Sequence, residues 1–401
     1  MKTLDEVLAA VGLAEAPEAW RAGWAAAQEA YPAGEIAFLT EAFLDEANAV
    51  LRISDRNLTP IREALAVIRG HEGLRRLAWL QHDLLFRQAI PRQGIFSWPA
   101  PPALGATPGW LPAVITISGV PSMLAKHQAR GIPREITLDT MDDMERWLRA
   151  NEARYGVPCF DHLFWLSYHL RGELFRLGRL QFQFGTMYHE VHVFRRGSEL
   201  LALSEAGIRF RRDGLVDGTN ALFDEEAWTA DYSVDDRLTR GHPISPDGYA
   251  HPEPVELDLR EWREVLSPGD PVLHVHIPAG GKMDHDLCLA SYRQALDFFP
   301  RYFPDYAFRA FTCSSWLLDS QFARILPATS NIVQFVQSYY TYPVKSGDEG
   351  AFDRVFNGRP VDLTTAPRDT TLRRAILDFT LAGGRLRGAT GFILRDDPRW
   401  D

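Results

Sequence analysis

The apolar residues in the first 155 positions are spaced as in α-helices. They recur at intervals of three and four, which puts them on one face of a helix. Three such stripes are Leu4, Val7, Leu8 and Val11, then Ile36, Leu39, Phe43 and Ala47, then Ile61, Leu65 and Ile68. Because stripes of this kind mostly pack into a core, we predict an all-helical N-terminal domain over residues 1–155.

The period of the pattern changes within the rest of the chain, residues 156–401. After an aromatic-rich helix, apolar and polar residues alternate as in half-buried β-strands. We predict an antiparallel meander from three runs, Arg179–Phe184, Tyr188–Phe194 and Glu199–Leu203. The polar, turn-rich stretch 206–258 is interpreted as a long functional loop or an insertion.

Three later segments complete the second predicted domain. We predict a short helix at Leu259–Leu266, a strand at Asn331–Tyr339 and a closing strand at Gly388–Leu394. Residues 156–401 are therefore expected to form one mixed-sheet domain. Together with the helical domain this gives an α/β (α+β) fold class.

A strand, a glycine loop, a helix and a second strand follow one another between Val272 and Trp316. Asp284 stands where an N-cap residue would open the helix. Peptide N–H groups at a helix start lack helical acceptors and lie at the positive end of the dipole. The segment therefore predicts a site for a phosphate or another anion. Its contacts would come from the loop residues Ala279, Gly280, Gly281 and Lys282.

The glycine pair has a simpler interpretation as well. Two adjacent glycines also occur in tight turns that need positive φ angles. The loop is not a P-loop, because Met283 stands where a serine or threonine would hold magnesium.

Two histidines lie on one face of the predicted strand Val272–Ile277. With a side-chain period of two, His274 and His276 point the same way as Val272, and the other face is aliphatic. The pair is either a general base or substrate contact, or two hydrogen-bonded histidines that line a polar crevice. Histidine suits acid–base work because its ordinary pKa is near 6.5.

A metal site is a further alternative for these histidines. Glu190 is the acidic residue that would complete it with His274 and His276, but nothing in their spacing requires a metal. We therefore predict no bound metal. Cys313 is a weak candidate for a nucleophile, because a free cysteine is usually a small buried hydrophobe.

Composition and charge limit the possible partners. The chain has 401 residues, a net charge of −10 and 46% apolar residues, as in an ordinary globular protein. An acidic chain has no general attraction for nucleic acid or an anionic membrane, so neither partner is expected. The start of the chain is acidic and lacks the pattern of a signal peptide, which predicts a cytoplasmic protein.

Four segments resemble a bacterial family of acyltransferase-domain proteins, which pair an all-helical N-terminal domain with a GNAT-like C-terminal domain. The most specific segment is the Ser-Trp-Leu-Leu-Asp run at 315–319. The resemblance extends over about the last 245 residues and, more loosely, over the helical half. The segments are His276–Gly281, Phe308–Asp319, Ser330–Phe335 and Ala382–Gly388.

The resemblance implies a sheet whose fourth and fifth strands splay apart around the pantetheine of acyl-CoA, with the pyrophosphate on the loop after the fourth strand. Val272–Ile277 corresponds to the fourth strand and Ala307–Ser314 to the fifth. The loop Pro278–Met283 departs from the family's usual Q/R-x-x-G-x-G/A pattern.

These observations predict acyl transfer from acyl-CoA to an amine or hydroxyl of a small-molecule acceptor. His276 is the predicted general base, and the Ser314 hydroxyl would relay a proton or hold the thioester. We expect His274, Glu190 and His192 to contact the substrate. The rival hypotheses are a non-catalytic module that binds a ligand or partner, and a metal-dependent enzyme that uses His274 and His276.

Overall fold

The chain folds into two compact units, residues 1–177 and 178–401. The computed structural model describes residues 2–91, 94–95, 98–105, 108–156, 159–160, 163–188 and 191–400. The predicted domain boundary lies between residues 155 and 156. In the structure, the helix Leu163–Leu170 and the short strand Leu174–Leu177 belong to the first unit.

The first unit is helical, as predicted. Each predicted stripe becomes the buried face of a helix or short turn, and Leu8, Leu39, Ile61 and Leu65 are each at most 2% exposed. The described elements are α1 Leu4–Val11, α2 Glu18–Glu29, α3 Glu41–Leu51, α4 Asp55–Gly70, α5 Glu72–His82, α6 Leu111–Ile117, α7 Val120–Ala129, α8 Arg134–Met141, α9 Asp143–Tyr155, α10 Leu163–Leu170 and β1 Leu174–Leu177. No helix of the described chain is both long and apolar enough to cross a membrane.

The second unit contains a mixed sheet that carries the strand–loop–helix–strand segment. Its strands within this unit lie in the order β2, β11, β12, β14, β13. Only β11 and β12 of these neighbours are paired in parallel. The strands are β2 Leu180–Thr186, β11 Pro271–His276, β12 Ala310–Ser315, β13 Tyr340–Pro343 and β14 Ala389–Leu394. The mixed-sheet fold class is therefore confirmed.

The stretch 206–258 supplies three of the six strands of a second sheet, so its interpretation as a long loop was wrong. The order is β10, β3, β4, β8, β7, and β9 also pairs with β8. Its strands are β3 Val191–Arg196, β4 Glu199–Ser204, β7 Tyr232–Val234, β8 Leu238–Ile244, β9 Val255–Asp258 and β10 Arg263–Leu266. The short pair β5 Arg209–Phe210 and β6 Trp228–Thr229 lies between β4 and β7 in the chain.

The predicted meander was also wrong in its pairing. Strands β3 and β4 form an antiparallel hairpin, but β2 pairs with β11 in the first sheet. The predicted helix at Leu259–Leu266 is a turn followed by β10. Its apolar residues face opposite ways, because Trp262 and Leu266 pack in different cores.

The two faces of the first sheet are covered differently. Helix α11, His285–Tyr302, lies against one face, where Phe182, Phe311 and Tyr292 meet edge to face. On the other face, Val272 and Ala310 share a core with Val193 of the second sheet.

The remaining helices of this unit follow β12. They are α12 Phe322–Ile325, α13 Asn331–Gln337, α14 Glu349–Phe356 and α15 Thr371–Leu381. The strand predicted at Asn331–Tyr339 is thus mostly helix α13. Its β-branched residues favoured a strand, but Val333 and Val336, three apart, are both buried on one helical face.

Candidate active site

Strands β11 and β12 separate toward their carboxyl ends. The two strands are paired from Val272, opposite Ala310, to His274, opposite Thr312. Beyond that point β11 stays paired with β2 as far as His276, and β12 stays paired with β14 as far as Ser315. The side chains of His276 and Ser314 therefore flank a gap between two parallel strands.

Polar side chains cover the face of the sheet beside this gap. On β11 and β12, His274 and Thr312 are register partners, and His274 Nδ1 lies 2.8 Å from Thr312 Oγ1. The ring of Tyr188 packs against the imidazole of His274, with centroids 5.0 Å apart. The same face is apolar at the other end of the strands, where Val272 and Ala310 are fully buried.

His276 is half-buried and is oriented by a glutamine on β2. Its Nε2 lies 2.8 Å from Gln183 Oε1. An amide oxygen only accepts hydrogen bonds, so Nε2 carries a proton and, when the ring is neutral, Nδ1 carries the lone pair. A neutral imidazole in this tautomer is suited to accept a proton at Nδ1.

Ser314 is exposed on the opposite side of the gap and belongs to a row of hydroxyl groups. Its Oγ lies 2.6 Å from Thr390 Oγ1 and 3.3 Å from the hydroxyl of Tyr188. Tyr188 is 58% exposed, so this row extends to the surface. Hydroxyl groups both donate and accept, so the row can hold a carbonyl oxygen or pass on a proton.

The loop that follows β11 leads into the N-terminus of α11. Asp284 caps this helix by accepting from the N–H of Leu287 at 3.1 Å, as predicted from the sequence. Gly280 and Gly281 have φ angles of 90° and 80°, which favour glycine. Within the described part of the chain, the N–H groups of these two glycines have no protein acceptor.

An arginine that sequence analysis missed holds this loop in place. The guanidinium of Arg179 donates to the carbonyls of Pro278 and Lys282, both at 3.0 Å, and of Gly281 at 3.4 Å. Carbonyl and following N–H point in opposite directions across a trans peptide. The N–H groups of Lys282 and Met283 are therefore turned away from Arg179. The pattern of apolar residues gave no signal for this role.

The predicted substrate residues do not all come together. His274 lies in the polar face, but His192 lies on the opposite side of the second sheet from the shared core. There it is hydrogen-bonded to Glu264 at 2.7 Å and Glu205 at 2.8 Å and is stacked on Tyr232. Glu190 lies outside the described residues.

Burial argues against Cys313 as a nucleophile. Cys313 is 3% exposed, and its burial raises the pKa of the thiol to about 12, which disfavours the thiolate needed in a nucleophile.

Among the described residues, no group of three or more His, Cys, Asp or Glu side chains is arranged to hold a metal. The absence of a required metal stays a prediction.

Two protein-family profiles match the chain. The profile described as GNAT-like C-terminal domain matches residues 174–393, just over half of the chain. The profile described as N-acyltransferase N-terminal domain matches residues 42–172. Among curated protein sequences, none matches.

Solved structures with the same fold are acyltransferases. One is an acyltransferase in complex with decanoyl-CoA and teicoplanin, and another is a mutant acyltransferase in complex with octanoyl-CoA. Each is 22% identical to this chain, with a TM-score of 0.65 over 98% of this chain and 99% of the other. At this identity the likeness establishes the fold.

Proposed function

Because the chain belongs to the family defined by the GNAT-like C-terminal domain, we propose that it transfers an acyl group from acyl-CoA to an amine or hydroxyl of a small-molecule acceptor. The observation that carries the proposal is the gap between β11 and β12, which ends at a loop whose Gly280 and Gly281 N–H groups have no protein acceptor among the described residues. A cytoplasmic location and the absence of nucleic-acid and membrane partners stay predictions.

The loop Pro278–Met283 and the start of α11 would bind the donor's pyrophosphate. The N–H groups of Gly280 and Gly281, which have no protein acceptor among the residues described, favour an anion at this point, as do the helix dipole and the Lys282 ammonium. Pantetheine would then run into the gap and bring the thioester between His276 and Ser314. Proteins of this fold hold octanoyl-CoA, decanoyl-CoA and CoA, which supports an acyl-CoA donor with a medium-length chain.

The chemistry needs a base on one side of the gap and hydroxyl donors on the other. The acceptor's nitrogen or oxygen forms a bond to the thioester carbonyl carbon, and the carbon–sulfur bond breaks. His276 takes the acceptor's proton at Nδ1, while Gln183 keeps the ring oriented. Ser314 donates to the carbonyl oxygen as negative charge develops there. CoA leaves as a thiolate and takes up the proton that His276 has accepted, which returns the imidazole to its neutral form.

Calorimetry with CoA and a thiol-release assay with octanoyl-CoA test this proposal. A panel of amines and alcohols would serve as acceptors. We expect saturable CoA binding and acceptor-dependent thiol release. At a CoA concentration of 100 times Kd, the free energy of unfolding should rise by about 2.7 kcal/mol.

The rival functions give different results in the same assays. Failure of the chain to bind CoA overturns the proposal. CoA binding with no thiol release across the panel favours the non-catalytic ligand-binding module. Activity that is lost on chelation and restored by a metal favours the metal-dependent enzyme built on His274 and His276.

A further inference from the structure

A cavity of about 680 Å³ opens in the second unit, at the sheet edge where β12 and β13 end and β14 begins. Its wall includes Ser346, whose hydroxyl donates to the carbonyl of Gly388 at 2.8 Å. The next residue, Ala389, is the register partner of Ser315. The cavity therefore lies beside the carboxyl end of β12, near Ser315, which is the residue after Ser314.

The cavity is also on the same face of the first sheet as His274, Thr312 and Ser314. Part of its wall is the loop 217–224, which lies within the connection between β5 and β6. The residues that lead into this loop, Phe210 and Val216, pack in the core that contains Val272 and Ala310. His274 and Ser314 project from this same face, because they follow Val272 and Ala310 by two and four residues on their strands.

The loop 217–224 is held in an unfavourable backbone conformation. Asn220 and Ala221 have φ angles of 56° and 54°, in the left-handed region that asparagine tolerates but alanine rarely adopts. Hydrogen bonds stabilise it: the N–H of Asn220 donates to Ser346 O at 2.7 Å, and Asn220 Nδ2 donates to Leu386 O at 3.0 Å. Backbone strain of this kind clusters at ligand sites.

This conformation places an aromatic ring at the cavity with most of its surface in solvent. Phe223 is 74% exposed although it is a large apolar residue. The ammonium of Lys345 lies 6.0 Å from the centre of its ring. A ligand that covered the ring would remove this apolar surface from water.

The charges that line the cavity are unevenly paired. Asp348 is bound to the guanidinium of Arg359. In contrast, Lys345 and Arg385 have no carboxylate partner among the described residues. Glu349 is the remaining acidic residue of the wall, so the lining carries a net positive charge.

We propose that this cavity binds the acceptor and selects one that carries a carboxylate next to an aromatic ring. Lys345 and Arg385 would bind the carboxylate, and Phe223 would stack on the ring. The inference rests on the proposed acyl transfer, since the bound acceptor must present its amine or hydroxyl toward Ser314 and the gap. It adds the chemical class of the acceptor to that function.

The experiment uses phenylalanine and phenylalanine amide as matched acceptors, with octanoyl-CoA as donor. The two molecules share the ring and the amine, and only phenylalanine has a carboxylate. In the full-length protein, we expect kcat/KM to be roughly tenfold higher for phenylalanine, the size of one hydrogen bond to a charged group. Lys345→Ala and Arg385→Ala should each reduce this ratio. Phe223→Ala should reduce the preference for phenylalanine over alanine.

Arg293→Ala is the control, because it removes the same charge from an exposed position of α11 outside the cavity wall. It should leave the ratio unchanged. Calorimetry with phenylalanine and its amide, in the presence of CoA, measures the same preference without turnover. Equal affinity for acid and amide in the parent, or an equal loss for both in Lys345→Ala, overturns the inference. If CoA itself fails to bind the parent, the proposed acyl transfer fails first.

Discussion

Gly185 on β2 leaves the space that the imidazole of His274 occupies on β11. A Cβ atom at residue 185 would lie 2.1 Å from His274 Nε2, far closer than atoms can approach. The glycine therefore allows His274 to lie flat across the neighbouring strand and to reach Thr312. Its role is steric, since β2 is regular and its pairing is continuous at this point.

Gly185→Ala should displace His274 and break its hydrogen bond to Thr312. We expect a loss of about 1–3 kcal/mol in unfolding free energy, as in other overpacked cores. The same substitution in a His274→Ala background should cost less, because the clash is gone. Urea unfolding of the four proteins measures this coupling. Additive effects of the two substitutions would contradict the steric interpretation.

The donor loop can be tested with two glycines of similar geometry. Gly281 and Gly269 have φ angles of 80° and 88°, and a Cβ atom on either would meet open space. Valine at either site should cost at least about 1–2 kcal/mol, because the left-handed region disfavours it. Only Gly281→Val should also weaken CoA binding, since its side chain would stand where the pyrophosphate approaches.

Calorimetry with CoA separates the two valine variants. If Gly281→Val binds CoA as well as Gly269→Val does, the pyrophosphate is not bound at this loop. The glycine pair would then be a tight turn without a role in binding.

Arg179 is predicted to act on the donor by holding the loop. Arg179 donates from three separate nitrogens to three carbonyls, and the single nitrogen of a lysine cannot reproduce this planar fork. Arg179→Lys and Arg179→Met should therefore both raise the Kd for CoA, by roughly tenfold. Calorimetry checks this, with Arg293→Met as the control. Near-normal affinity in Arg179→Lys alone would indicate that Arg179 acts through its charge on the phosphates instead.

The sequence predicted the elements whose pattern is local and missed those that depend on distant contacts. The strand at 272–277, the glycine loop and the capped helix after Asp284 follow from alternation, glycine and capping chemistry over about 30 residues. Strands β3 and β4 of the second sheet were predicted in the same way, but β7, β8 and β9 were not, because they lie among polar, turn-rich sequence. Helix α13 was missed because its valines satisfy either periodicity until burial decides between them.

The candidate site divides in the same way. His274 and His276 share a face because of the period of a strand, which the sequence contains. The role of Arg179 depends on a contact with residues about 100 positions away. His192 was grouped with His274 by residue type, although the two lie on different sheets.

His192 is predicted to make stability depend on pH. Burial of the ring lowers its pKa, but the hydrogen bonds to Glu264 and Glu205 outweigh burial and raise the pKa above its usual value. A raised folded-state pKa stabilises the fold fully below the unfolded pKa of about 6.5. The stabilisation is lost as the pH rises through the folded value.

The difference in unfolding free energy between the parent and His192→Gln should therefore be larger at about pH 5.5 than at about pH 9. Urea unfolding at both pH values measures it. His251→Gln replaces an exposed histidine and serves as the control. A difference that does not change with pH would show that the ring contributes by packing on Tyr232 and not by its charge.

His276→Ala should separate binding from chemistry. The imidazole lies beside the gap and not in the loop, so the affinity for CoA should be close to that of the parent. If His276 accepts the acceptor's proton, kcat should fall by roughly 10²–10⁴-fold, as is usual for loss of a general base.

Gln183→Leu should lower kcat less, because it frees the ring from its orienting oxygen but leaves the base in place. Calorimetry with CoA and thiol release from octanoyl-CoA give the two quantities, and His251→Ala is the control. A His276→Ala protein that keeps parental kcat would exclude His276 as the base.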